Sequence, residues 1–284
     1  MRFIKNSKIL IVGLGLMGGS YAQALTDLGY EVGGLARRQE VIDYALNKGY
    51  IRHGGITVEK EYIGQFDVIV FALYPHVFID WLRDYQDYIK SGALLTDVTG
   101  VKGSVVYEVQ KLLRDDLEFI GAHPMAGRET SGIESATKAI FKGANYIVTP
   151  TEKNTPEAIE SCKELGRVLG FKNIMELTPE EHDEMIGFLS QLTHCIAVSL
   201  MVCKDSRHLV EYTGDSFRDL TRIARINENM WSELFMLNRK ELLKQMDLFS
   251  EKFSQLRNYI AEGDTEGMKE MMRLSTERRG YFNE

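Results

Sequence analysis

The stretch KILIVGLGLMGGS, residues 8–20, decides the fold. Lys8 to Val12 is a short apolar run of the kind expected from a parallel strand buried on both faces. Glycines 13, 15 and 18 follow at once, and a helical pattern then runs through Leu28. Strand, tight turn and helix in this order suit a dinucleotide. Gly13 permits the turn, Gly15 lets backbone approach a pyrophosphate, and Gly18 lets the helix pack closely on the strand. Leu16 and Met17 open the helix, whose N-terminus faces the phosphates. A structural glycine turn without cofactor is the alternative, and it leaves the residues after the second strand unexplained.

Reading outward, Glu31–Leu35 and Asp67–Leu73 are further strands, the second nearly continuous in apolar residues, with Leu73 and Tyr74 at its end in reach of a cofactor. Ala93–Asp97, Glu118–Ala122, Tyr146–Val148 and Asn173–Leu177 continue the series. Helical patterns at 39–48, 81–89, 104–113 and 156–169 alternate with them. The alternation predicts an α/β, Rossmann-type doubly wound sheet over residues 1–177. From Thr178 no strand signal remains. Thr178 as cap, Pro179 in the first turn and Glu180 and Glu181 behind it read as a helix start, so 178–284 is expected to be an all-α C-terminal domain. Leu242, Met246, Phe249, Phe253, Leu256 and Ile260 form a seam longer than one helical layer needs to cover itself, which predicts a homodimer through this domain.

Composition bounds the function classes. The 284 residues are 44% apolar and 26% charged, enough for a sizeable core, and the net charge of −7 argues against a general nucleic-acid binder. Cys162, Cys195 and Cys203 are sparse and lack metal-like spacing, so free thiols, no metal and a reducing cytoplasm are expected. The basic start and the apolar run after it imitate a secretory leader, but the glycines account for them. Met185–Cys203 is apolar over about a membrane span. It contains Ser190, Gln191, Thr193 and His194, so a buried core helix is expected rather than a membrane segment.

GLARRQE, residues 34–40, lies where a carboxylate would hold the ribose hydroxyls of NAD. Ala36 removes the repulsion a carboxylate would exert on the 2′-phosphate of NADP, and Arg37 and Arg38 can grip that phosphate. NADP is therefore the expected cofactor, with NAD second; two solvated arginines at a helix start are the alternative. His123 follows the strand ending at Ala122, where open α/β sheets bind ligands, and an imidazole there can take a proton from a substrate hydroxyl.

Together with the glycine motif, TDVTGVKG (96–103), HPMAGRETSG (123–132), SQLTH (190–194) and FRDLTRIARINENMW (217–231) resemble the prephenate and arogenate dehydrogenase family of tyrosine biosynthesis, in order from about residue 7 to about 260. The resemblance implies oxidative decarboxylation: hydride leaves C4 of a cyclohexadienol for the nicotinamide, and loss of carbon dioxide aromatises the ring. It assigns His123 to the 4-hydroxyl, Arg222 to a substrate carboxylate, His194 to the pocket, Glu129 to gating or orientation, and Trp231 to the pocket wall. For Arg222 a surface pair with Asp219 or Asp215 is the alternative. Two positions depart from the pattern. Gly100 stands where many members have a serine that contacts the histidine, leaving Thr99 as the neighbouring hydroxyl, and Gln191 stands where many have histidine. The short charged stretch after the seam leaves no room for an appended regulatory domain, so inhibition by tyrosine would act at the active site. Two other readings remain open: an NADP-dependent hydroxyacid or imine oxidoreductase, for which Lys204 is the nearest catalytic lysine, and a catalytically silent NADP-binding sensor, suggested by Gly100.

Overall fold

The structure is a computed structural model that describes residues 6–127, 130–205 and 207–282. Its strands are β1 (Lys8–Val12), β2 (Glu31–Leu35), β3 (His53–Gly55), β4 (Val68–Phe71), β5 (Leu94–Asp97), β6 (Glu118–Met125), β7 (Asn145–Thr149) and β8 (Asn173–Glu176). They form one sheet in the order β3-β2-β1-β4-β5-β6-β7-β8. Strand order reverses between β1 and β4, which opens a crevice at their carboxyl ends. Helices α1 (Leu16–Asp27), α2 (Gln39–Asn47), α3 (Lys60–Ile63), α4 (Pro75–Tyr85), α5 (Gly103–Leu112) and α6 (Pro156–Val168) connect the strands. Alternate residues of β1 divide the core: Ile9 and Ile11 join Tyr21, Val70 and Val148 on one face, while Leu10 and Val12 join Phe71, Phe78 and Phe119 on the other. Such division is what makes the strand read as continuously apolar.

Two expectations need correction here. The helix read at 81–89 begins earlier, at Pro75, and gives way to a 3₁₀ turn over Gln86–Tyr88. Pro75, set at the first turn of α4 after Tyr74, starts the helix before the apolar pattern becomes visible. Likewise β6 does not stop at Ala122. It is parallel to β5 over Glu118–Ile120 and then antiparallel to β7 over Gly121–Met125, so His123 is a strand residue opposite Ile147. The antiparallel neighbour keeps supplying hydrogen bonds after β5 has ended. No sequence signal marked β3, whose His-Gly-Gly pairs with β2 and is held further by the Tyr62 hydroxyl, which donates to His53 O at 3.1 Å.

From Thr178 on, the described residues are helical: α7 (Pro179–Ile186), a π-helical turn (Gly187–Leu192), α8 (Thr193–Val202), α9 (Asp215–Thr221), a 3₁₀ turn (Arg222–Ala224), α10 (Glu228–Leu237), α11 (Arg239–Glu262) and α12 (Thr265–Gly280). Thr178 caps α7 with a complete capping box. Its Oγ1 accepts from Glu181 N at 3.2 Å, and Glu181 Oε2 accepts from Thr178 N at 2.8 Å. The apolar helix expected to be core is not buried in the single chain. Its most apolar window is only 28% buried, and in α8 only Ala197 is enclosed. Its sequence is apolar on every side, and this chain supplies neighbours for only part of that surface.

Candidate active site

The cofactor end is built by glycines. Gly13 has φ +96°, and a Cβ there would stand 2.4 Å from the carbonyl oxygen of Ala72 on the loop after β4. A Cβ on Gly18 would fall 1.8 Å from the Gly13 oxygen, so only glycine lets α1 pack this close. At Gly15 a Cβ would meet nothing within 4 Å, and no side chain caps the helix there. Open space over uncapped N–H groups at a helix start fits a dinucleotide pyrophosphate. Leu16 and Met17, half-buried, form the first turn of α1, and Leu73 lies against Gly13. Tyr74 precedes α4, and its hydroxyl accepts from Asn227 Nδ2 at 3.3 Å. After β2, Ala36 donates its N–H to Gly55 O at 3.3 Å, while Arg37 and Arg38 are exposed. Arg38 meets Glu40 at 3.3 Å with both side chains about two-thirds in water, a pair that contributes little and leaves the guanidinium free to turn.

Further along the sheet edge lies a buried polar cluster. Lys102 and Asp97 are both fully enclosed, with Lys102 Nζ 2.8 Å and 2.7 Å from the two carboxylate oxygens. Lys102 Nζ also donates to Thr99 Oγ1 at 3.2 Å, and Asp97 Oδ1 accepts from Ala122 N at 3.0 Å, tying the end of β5 to β6. Next to this cluster, His123 Nδ1 is 2.9 Å from His182 Nε2, and His182 Nδ1 is 2.8 Å from Asp183 Oδ1. Burial pushes both imidazoles below the usual histidine range; for His123 the neighbouring His182 and the Lys102 cation add to the effect. The Nε2 edge of His123 faces Gly100, which also lies beside Leu234 of α10. A Cβ on Gly100 would be 3.7 Å from that nitrogen and 3.8 Å from Leu234 Cδ1. Thr99 is adjacent in sequence, but its hydroxyl bridges Asp97 Oδ2 and the Val101 carbonyl; the partner that orients His123 is His182.

The helical elements supply the opposite wall. His194 Nδ1 donates to Ile223 O at 3.0 Å, and its ring lies 3.7 Å from that of Trp231, centroid to centroid. Because a carbonyl only accepts, the free Nε2 of a neutral His194 is an acceptor. Arg222 is exposed and adjoins Ile223, which puts its backbone beside His194. Gln191 is buried in the π turn with both ends of its amide engaged: Nε2 donates to Leu234 O at 3.2 Å, and Oε1 accepts from Asn238 Nδ2 at 2.8 Å. It joins helices here. Glu129 lies outside the described residues.

The family follows from comparison with known proteins. Residues 22–175 match the model described as prephenate dehydrogenase, nucleotide-binding domain, and residues 178–274 match prephenate dehydrogenase, dimerization domain. The chain belongs to the prephenate dehydrogenase family. Among curated members, the prephenate dehydrogenase of Bacillus subtilis is 30% identical over 92% of this chain and 72% of its own. The cyclohexadienyl dehydrogenase of Zymomonas mobilis is 27% identical over 95% and 94%. Among solved structures, prephenate dehydrogenase from A. aeolicus in complex with hydroxyphenyl propionate and NAD+ superposes with a TM-score of 0.87 at 28% identity, covering 97% of this chain and 98% of that one. The match to the family's nucleotide-binding domain supports a nicotinamide cofactor.

Several residues of the site escaped the reading of the sequence. His182 and Asp183 looked only like part of a charged helix start, because their partners lie 59 and about 80 positions away. Lys102 stands inside a quoted motif, yet nothing in TDVTGVKG tells that its ammonium is enclosed against Asp97.

Proposed function

We propose that this protein oxidatively decarboxylates prephenate or arogenate, giving 4-hydroxyphenylpyruvate or tyrosine, with NADP as the hydride acceptor. The observation that carries the proposal is the placement of His123. Its ring stands on the same sheet edge as the glycine turn, three strand spacings or roughly 14 Å across, with Nε2 beside Gly100. The cofactor, when bound, supplies the hydride acceptor. Gly13, Gly15 and the first turn of α1 hold its pyrophosphate, Leu73 and Tyr74 border it, and Arg37 and Arg38 receive the 2′-phosphate. His123 accepts the proton of the 4-hydroxyl as positive character grows at its carbon, which needs a neutral ring. Burial favours that neutral ring. Arg222 takes a substrate carboxylate, and His194 and Trp231 line the pocket. The chain divides at 177/178 into a nucleotide-binding part and a helical part that pairs with a second copy, and it works in the cytoplasm.

The test offers prephenate, arogenate and simple hydroxy acids in parallel with NADP and NAD. Equal release of NADPH and carbon dioxide from prephenate or arogenate is expected. Reduction with a hydroxy acid and no carbon dioxide would replace this reading with the hydroxyacid oxidoreductase; cofactor binding without turnover would favour the sensor.

A further inference from the structure

The two histidines and the aspartate beside them fix an order of protons. Asp183 Oδ1 accepts from Lys102 N and Oδ2 from Gly103 N, each at 2.8 Å, so the carboxylate is locked across the start of α5. An acceptor already holding two backbone N–H groups takes the ring proton too, so His182 Nδ1 is a donor. His182 is fully enclosed, and in its neutral form Nε2 then carries a lone pair. The contact at 2.9 Å therefore runs from His123 Nδ1–H to His182 Nε2, and the lone pair of His123 is on Nε2.

We propose that His182 and Asp183 are positioning residues that set the tautomer of His123, keeping its Nε2 free to accept the substrate proton. This rests on the reading of His123 as the base. Either tautomer of an isolated imidazole is accessible, and the one with hydrogen on Nε2 would present a donor to the substrate hydroxyl and remove no proton. The relay crosses from one half of the chain to the other: His123 is on β6, while His182 and Asp183 are on α7. Asn238 Nδ2 donates to Asp183 O at 2.9 Å, so α11 also helps hold α7 in place. Catalytic competence of the base thus depends on correct docking of the helical elements on the sheet.

The same chain predicts the response to acid. The groups facing His123 are His182 from α7, Lys102 from the start of α5, and Asp97 behind Lys102 on β5, while α10 presents the apolar Leu234. One proton taken up by the pair reverses the shared hydrogen bond: a doubly protonated His182 donates to His123 Nδ1 and forces hydrogen onto His123 Nε2. Activity should therefore fall as one macroscopic titration of the pair, below the usual histidine range because burial disfavours the cation.

Nitrogen-15 NMR of the histidine rings in the intact wild-type enzyme reads the tautomers directly. Nδ1 protonated and Nε2 bare on both His123 and His182 is expected; hydrogen on His123 Nε2 at neutral pH would overturn the proposal. In parallel, His182→Leu and His182→Gln are compared for kcat, KM, NADP affinity and the pH profile of kcat/KM. His182→Leu should lower kcat about 10- to 100-fold, as loss of a group that fixes an imidazole does elsewhere, with KM and NADP affinity changed less than about twofold. Its acid limb should move to lower pH, since the acceptor that would hold the Nδ1–H of a charged His123 is gone while burial still disfavours that cation. His182→Gln, able to offer an amide oxygen to Nδ1, should recover part of kcat. A folded His182→Leu enzyme with wild-type kcat and profile would reduce His182 to packing. His123→Asn separates this proposal from its premise: if that variant keeps full activity the base is wrong, whatever the NMR shows of the tautomer.

Discussion

At the scale of single residues, chemistry and cofactor choice are separable. His123→Asn should lower kcat by about 10²- to 10⁴-fold, the range for losing one acid-base partner, while NADP affinity stays within about twofold, because the proposed dinucleotide site lies three strands away. Steady-state kinetics and a cofactor titration check both numbers. Arg37→Ala should weaken NADP about tenfold to a hundredfold, a charge-assisted hydrogen bond contributing roughly 1.5 to 3 kcal/mol, and leave NAD nearly unchanged. Ala36→Asp should shift kcat/KM toward NAD, since the new carboxylate meets the ribose and repels the phosphate. Equal use of both cofactors, unmoved by either change, would detach GLARRQE from the cofactor. Gly100 does not have the positive φ that demands glycine, and a Cβ there makes only ordinary contacts. Gly100→Ser should therefore fold with an unchanged melting temperature and bring a hydroxyl near His123 Nε2; a large loss of stability would show that glycine is needed for shape.

At the scale of elements, Tyr74 and the first turn of α4 are tied to α10 and to Asn227 before it. Glu233 receives the backbone N–H of His76 at 2.8 Å and the ring Nδ1 of the same residue at 2.8 Å, and Asn227 reaches the Tyr74 hydroxyl. Glu233 thereby caps the start of α4 from the helical side and fixes α10, which carries Trp231 and Leu234 over the site. His76 is 62% exposed and Glu233 19%, so solvent reduces the pair's strength to about 1 kcal/mol. Glu233→Ala should lower the melting temperature by about 2 to 4 °C and raise KM for the substrate more than it changes cofactor affinity. Unaltered KM would make the contact a surface ornament. The glycine turn is less forgiving: a Cβ at Gly18 collides with backbone, which cannot yield as a side-chain tip does.

At the scale of the whole molecule, the helical half leaves apolar surface uncovered. Phe188, Leu189, Val202, Leu248, Phe253 and Ile260 are each between 45% and 78% exposed, and Phe249 stacks on Phe253 with ring centroids 6.0 Å apart. Single apolar residues on a surface are ordinary, but a run along α11 together with the π turn and the end of α8 asks for a partner. The matching region of the family model is described as a dimerization domain. A dimer is expected by sedimentation at micromolar concentration, and Phe253→Asp should shift it toward monomer; a monomeric wild type would exclude the assembly.

The Rossmann sheet was legible in residues 8–177 because each buried strand and each glycine turn is specified by a few neighbouring residues. Apolar runs mark strands enclosed on both faces, and Gly18 is required by the backbone of Gly13 only five positions before it, although Gly13 itself answers to Ala72 on the loop after β4. The Thr178 cap was legible for the same reason: its partner Glu181 lies three residues on. The rest was decided by packing between distant segments. The extension of β6 past Ala122 came from β7, the commitment of Thr99 and Gln191 to structural hydrogen bonds came from Lys102 and Asn238, and the exposure of α8 came from how few neighbours this chain places around it. The proton order of His123 depends on a residue 59 positions away, and no local pattern of side chains encodes a contact that exists only once α7 has docked on the sheet.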